Sequence, residues 1–194
     1  RLFMQGLMAL PLATIPADVD LAHAEASKGM MINESTSAGK DVSAYVAKAD
    51  NAAAPVVILI HEWWGLNDNI KAMAEGISAT GFHALAIDLF NGSVATDRDQ
   101  ARAHTRTVKG GEAVATISHW VRWARAAGNG KTNTLGWCFG GGWSLNAALA
   151  NDLDAAVIYY GRVTADTDEL AKLQTPLLGH FGTLDKSINP EMVG

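Results

Sequence analysis

Residues 55–60 read Pro-Val-Val-Ile-Leu-Ile, a continuous apolar run without the polar alternation of a half-exposed strand. Such a run suits a strand covered on both faces, as strands are in parallel sheets. Further short strands are predicted over 82–87, 132–136, 155–160 and 176–181. Segments of helical character separate them, over 67–80, 95–107, 112–126, 141–150 and 166–173. In the third, Val114, Ile117, Val121 and Ala124 recur at helical spacing. Strand and helix therefore alternate along most of the chain. That order predicts a mostly parallel sheet with helices on both faces. Residues 42–47 alternate in polarity and fit an edge strand, and residues 27–40 read as a linker or an exposed first hairpin.

The chain has 194 residues, 48% hydrophobic and 18% charged, enough for one domain with a sizeable core. Net charge is −5, with Lys and Arg scattered rather than striped, which argues against a nucleic-acid partner. Cys138 stands alone, so neither an internal disulfide nor a CxxC pair can form. No spacing of His, Cys, Asp or Glu suggests a metal site, and no GxGxxG loop suggests a nucleotide, so no cofactor is expected.

Residues 1–24 read as an export signal: Arg1 in front, an apolar stretch over 2–15, and small residues ending in Ala22-His23-Ala24. Arg1-Leu2-Phe3-Met4-Gln5 resembles the second half of a twin-arginine motif, which implies a bacterial periplasmic location. The stretch is short for a membrane span, so no stable anchor is expected once it is removed. The alternative is an N-terminal helix docked on the core of a cytoplasmic protein. Residues 25–41 then form a linker or exposed segment, and residues 42–194 an incomplete α/β domain whose last strand and helix are missing.

Ligands of such sheets bind beyond the carboxyl ends of the strands. There the sequence offers Gly136-Trp137-Cys138-Phe139-Gly140, after a strand and before a helix. This is a nucleophile-elbow pattern with cysteine at the nucleophile position. The helix N-terminus would favour a thiolate at Cys138, and Phe139 N–H could stabilise an oxyanion. A buried structural cysteine in a glycine-rich turn is the alternative. His61-Glu62-Trp63-Trp64-Gly65 follows the first buried strand. It offers Trp63 N–H as a second oxyanion donor and Glu62 as a carboxylate that could touch the thiol. Trp64 and Trp137 could line an apolar pocket. Equally, Glu62 could be solvated beside two core indoles. Asp185, in Gly182-Thr183-Leu184-Asp185, could orient a histidine, or serve only as a turn residue.

His61-Glu62-Trp63-Trp64-Gly65-Leu66, Gly136-Trp137-Cys138-Phe139-Gly140-Gly141 and Asp185 together resemble the dienelactone hydrolase (carboxymethylenebutenolidase) family. Ile87-Asp88-Leu89-Phe90 and Tyr159-Tyr160-Gly161 are similar to its members too, so the likeness covers residues 42–190. It implies the α/β-hydrolase fold and a Cys–His–Asp triad with Cys138 as nucleophile and Asp185 as acid. It further implies that Glu62 contacts the resting thiol. The expected reaction is hydrolysis of a small-molecule ester, lactone or thioester through an acyl-enzyme. Two departures stand out. The triad histidine is expected about thirty residues past Asp185 in the family's pattern, and none of His23, His61, His83, His104, His119 or His180 takes its place. The chain as given is therefore expected to be nearly inactive. Second, the family's substrate-binding arginine is replaced by Asn91-Gly92, which argues against a dienelactone as the substrate. The rival readings are a non-catalytic binding protein of the same fold and a thiol sensor.

Overall fold

A computed structural model describes residues 19–163 and 166–193. Helix α1 is Val19–Glu25. The hairpin strands are β1 Met30–Ser35 and β2 Asp41–Ala47. Then come β3 Val56–Ile60, α2 Asp68–Ser78 and β4 His83–Ile87. Helices α3 Arg98–Thr107 and α4 Gly110–Ala127 lead into β5 Thr132–Trp137. Helix α5 Phe139–Ala150, β6 Ala155–Tyr159 and the single turn α6 Thr167–Leu170 follow. Strand β7 Leu177–His180 and the short α7 Pro190–Val193 complete the described elements.

The strands form one sheet in the order β1-β2-β4-β3-β5-β6-β7. Pairing is antiparallel for β1 with β2 and β2 with β4, and parallel elsewhere. This is the predicted α/β-hydrolase architecture. The apolar runs account for it directly, because the side chains of β3 alternate between two cores. Val56, Ile58 and Ile60 pack with Ile117, Trp120, Val121 and Ala124 of α4 on one face. Val57 and Leu59 pack with Ile70, Ala74 and Ile77 of α2 on the other. Every residue of β3, β4, β5 and β6 is buried; β3 and β6 are apolar throughout, whereas β5 also buries Asn133 and Thr134, which hydrogen-bond Val56 O and Ser144.

Two readings change at the N-terminal side. Residues 42–47 are not at the edge, because β1 pairs along the outer side of β2. Between linker and hairpin, the structure takes the hairpin. Its outer strand is exposed at nearly every position, so it lacks the burial pattern by which a strand is recognised. The proposed signal lies mostly outside the described residues. Its final part belongs to α1, which packs on α2 with Ala22 buried and His23 Nδ1 2.7 Å from Asp68. Near the other end, the helix expected over 166–173 is limited to one turn. Among the described residues, no helix is long and apolar enough to cross a membrane.

Candidate active site

Register brings the candidate residues to one edge of the sheet. Ile60 is level with both Ile87 and Gly136, Trp137 with Tyr159, and Tyr159 with His180. The residues just past these positions therefore converge. Cys138 forms the corner between β5 and α5 with φ of 53° and ψ of −116°, a strained conformation for a non-glycine residue. Its flanks explain the glycines. A Cβ on Gly136 would lie 2.0 Å from the Gly140 carbonyl oxygen, and one on Gly140 would lie 2.1 Å from that of Ile60. The turn closes only when both positions lack a side chain.

Cys138 opens into a cavity of about 510 Å³, walled by α5 residues Phe139, Trp143 and Asn146, by Tyr160 and Arg162 after β6, and by Asp185 and Ile188 after β7. Nucleophile and acid candidates thus face the same space. Asp185 accepts the backbone N–H groups of Ser187 and Ile188 at 2.7 and 3.0 Å. The Ile188 N–H first, then that of Ser187, holds its carboxyl below the usual range. The thiol behaves otherwise than the helix N-terminus alone suggests. Burial pushes the Cys138 thiol above its ordinary value. The Phe139 N–H opposes that rise, and the charges of Glu62 and Asp185 add to it. The resting group is therefore a thiol at neutral pH. Desolvation and two carboxylates thus oppose the helix end, which favours the thiolate.

Glu62 is not among the residues lining that cavity. It lies in a neighbouring one of about 130 Å³ with Trp64, Asn67, Asn69, Ile70, Met73 and Trp137, and Tyr160 walls both. The Tyr160 hydroxyl donates to Glu62 Oε1 at 3.0 Å, so the carboxylate acts on the thiol through its charge while bonded to the phenol. Trp64 and Trp137 accordingly line the Glu62 cavity rather than the Cys138 cavity. Trp137 is also stacked on Tyr159, with ring centres 5.9 Å apart, and Tyr159 on His180 at 4.6 Å.

Trp63 is second in a turn closed by Gly65 N–H on the Glu62 carbonyl at 3.2 Å. It is not among the cavity's lining residues, whereas Phe139 is. The turn is fixed from behind. His61 is fully buried and sits 2.6 Å by Nδ1 from the Glu62 carbonyl, while Nε2 accepts Leu89 N–H at 3.1 Å. Burial lowers its pKa, so a neutral imidazole with the proton on Nδ1 satisfies both bonds. Asp88 is likewise structural, accepting Phe90 N–H at 2.7 Å and also Gly92 N–H. Among the described residues, no histidine lines the Cys138 cavity. His83 binds Ala49 N–H at the opposite end of its strand, and His104 packs on Phe90. Tyr160, Arg162, Trp143, Asn146 and Ser187 are wall residues that sequence reasoning did not single out as site residues. The advance signs were the family-like Tyr159-Tyr160-Gly161 and the position of 160–162 at the end of a buried strand. Among the described residues, no three His, Cys, Asp or Glu side chains converge as a metal site would require.

The sequence model of the dienelactone hydrolase family matches residues 42–193. A Salmonella typhimurium protein provisionally named carboxymethylenebutenolidase is 32% identical over 178 residues, covering 81% of this chain and 65% of the relative. Carboxymethylenebutenolidase 1 of Cupriavidus pinatubonensis is 26% identical, over 79% of this chain and 70% of that protein. A Klebsiella pneumoniae crystal structure, provisionally named dienelactone hydrolase, superposes with a TM-score of 0.74 at 26% identity, over 85% of this chain and 77% of that one. The chain thus spans just under two thirds of the Salmonella relative's length.

Proposed function

Because the chain belongs to the dienelactone hydrolase family, we propose that it acts on a carboxylic ester, lactone or thioester through Cys138. One observation carries this reading: Cys138 stands on a strained corner with Phe139 N–H at its sulfur and Asp185 facing the same cavity. In the proposed reaction the Cys138 proton passes first to hydroxide or a buffer base. The sulfur then forms a bond to the carbonyl carbon, and the carbonyl electron pair moves onto oxygen. Phe139 N–H, with Trp63 N–H as the second donor, takes that oxyanion, each donor contributing about 3 kcal/mol in the transition state. Collapse breaks the bond to the leaving oxygen or sulfur, which takes up a proton from water. Water then cleaves the thioester and restores the thiol.

Asp185 suits the orienting of a histidine, and none is among the described residues that line the cavity. We therefore expect this chain to acylate faster than it deacylates, with steady turnover close to background. The test is hydrolysis of p-nitrophenyl acetate. A burst of nitrophenolate that grows with pH and vanishes in Cys138→Ala is expected. An undiminished burst in that variant would refute the assignment.

The burial that raises the Cys138 thiol is also what a second reading requires, a binding protein of the same fold. It predicts ligand binding without acylation, read by calorimetry beside the burst assay. Export also stands as a proposal. Recovery from a periplasmic fraction with an N-terminus near Glu25 would support it, and an intact N-terminus in the cytoplasm would oppose it.

A further inference from the structure

Glu62 is pinned at its backbone and free at its side chain. Its carbonyl accepts the Gly65 N–H at 3.2 Å and lies 2.6 Å from His61 Nδ1. The start of the same loop presses on the corner at Cys138, because a Cβ on Gly140 would lie 2.1 Å from Ile60 O and 2.6 Å from His61 O. The root of Glu62 is thus fixed near the nucleophile, and side-chain rotation decides where its carboxylate rests. Among the described residues, the Tyr160 hydroxyl is the one hydrogen-bond partner of that carboxylate, and no cation lines its cavity. Tyr160 is itself tightly constrained. Its φ of 39° is a conformation that a bulky aromatic residue seldom adopts, and its N–H donates to His180 O at 2.7 Å. The next residue leaves no slack, since a Cβ on Gly161 would lie 2.3 Å from the Gly141 carbonyl carbon and 2.5 Å from Gly142 N. Held in this way, Tyr160 walls both cavities and presents its hydroxyl to Glu62.

We propose that Tyr160 is a positioning residue: its hydroxyl latches the Glu62 carboxylate in the neighbouring cavity and keeps it out of the space where Cys138 meets a carbonyl. A hydrogen bond to an ionised carboxylate is about twice as strong as one between neutral groups, so this single bond can decide the resting place of a side chain whose root is fixed. Without the phenol the carboxylate loses its one protein donor and is free to turn toward Cys138. There its charge would disfavour the thiolate and its bulk would occupy room a substrate needs. The other charged groups around the thiol are Arg162 after β6 and Asp185 after β7, and the α5 wall contributes none. The proposal rests on reading the Cys138 cavity as the reaction site, but its test needs no turnover. Cys138 is the only cysteine, so iodoacetamide reports on it alone. The sulfur bonds to the methylene carbon, iodide leaves, and the thiol proton passes to the buffer.

Tyr160→Phe keeps the ring and removes the latch. Its alkylation midpoint should lie at higher pH than in wild type. Below both midpoints its rate should be about fivefold slower, the scale of one charge brought closer to the thiol. In a Glu62→Gln background the same substitution should change the rate by less than about twofold, because the group it releases carries no charge. Circular dichroism checks that all four proteins share one fold. A Tyr160→Phe rate equal to or above that of wild type overturns the proposal. A fall of the same size in the Glu62→Gln background overturns it too, since Tyr160 would then act without Glu62. Reaction with p-nitrophenyl acetate separates this proposal from the hydrolase reading. A Glu62-dependent fall with no acetyl adduct on Cys138 leaves the latch standing and refutes the hydrolase, whereas an adduct without the fall does the reverse.

Discussion

Replacing Gly136 by alanine should unseat the corner that holds Cys138, and the structure gives the size of the effect. The new Cβ would lie 2.0 Å from Gly140 O, 2.3 Å from Gly140 C and 2.8 Å from Gly141 N. All three are backbone atoms of the first turn of α5, so no side chain can rotate away. Relief requires a shift of about 1 Å between β5 and α5, where interiors are packed as densely as crystals. Overpacking of this kind costs about 3 kcal/mol, the upper part of the usual range. For a chain of this size that corresponds to a fall in Tm of about 6–12 °C. Gly76 supplies the control. It is an exposed interior position of α2, and a Cβ there would meet nothing within 4 Å. Gly76→Ala should therefore stabilise by about 0.5–1 kcal/mol, through reduced backbone entropy in the unfolded chain. Urea unfolding of wild type and both variants measures the two effects. The same added methyl should act with opposite sign at the two positions. Gly136→Ala as stable as wild type would refute the tight corner and the geometry argued for Cys138.

Further outcomes follow from the same contacts. The pH profile of Cys138 alkylation by iodoacetamide should have its midpoint above that of free cysteine, because burial and then the Glu62 and Asp185 charges favour the protonated thiol. Glu62→Gln should move that midpoint to lower pH, and a midpoint below that of free cysteine in the wild type would contradict this. Tyr160→Phe removes the hydroxyl bound to Glu62 Oε1 and should cost about 1 kcal/mol in urea unfolding. Trp120→Ala should cost about 4 kcal/mol by emptying a fully buried site. Trp120→Phe should cost much less, because the indole N–H is buried without a partner. Asp68 is held below the usual carboxylate range, chiefly by its bond to His23 and also by Lys71. Its stabilising contribution is present above the unfolded value and lost as pH falls through the folded value. Hydrogen exchange of α1 should therefore accelerate below about pH 4, and less so in His23→Ala.

How far the sequence reveals this molecule depends on how local the cause is. Strands β3, β4 and β6 were legible because burial on both faces demands unbroken apolar runs. The corner at Cys138 was legible because two close backbone approaches demand glycine at 136 and 140. Strand β1 was not, because an exposed edge leaves no burial pattern in Met30-Met31-Ile32-Asn33-Glu34-Ser35. The balance of effects on the thiol was only partly legible for a related reason. The helix N-terminus is adjacent in sequence, but the opposing charges of Glu62 and Asp185 arrive from distant loops. Tyr160 and Arg162 escaped notice as site residues because only the register of β5, β6 and β7 brings their loop beside the nucleophile. Glu62, outside the Cys138 cavity, is bonded to Tyr160, a contact across 98 residues of sequence that no local pattern announces.

The central claim is that Cys138 forms an acyl-enzyme, and mass spectrometry of the protein after reaction with p-nitrophenyl acetate tests it most directly. The account predicts a mass gain of one acetyl group, mapped to the peptide containing Cys138, labile to hydroxylamine and absent in Cys138→Ala. Acetyl groups found only on lysines, or an unmodified Cys138 at alkaline pH where the thiol is ionised, would contradict it.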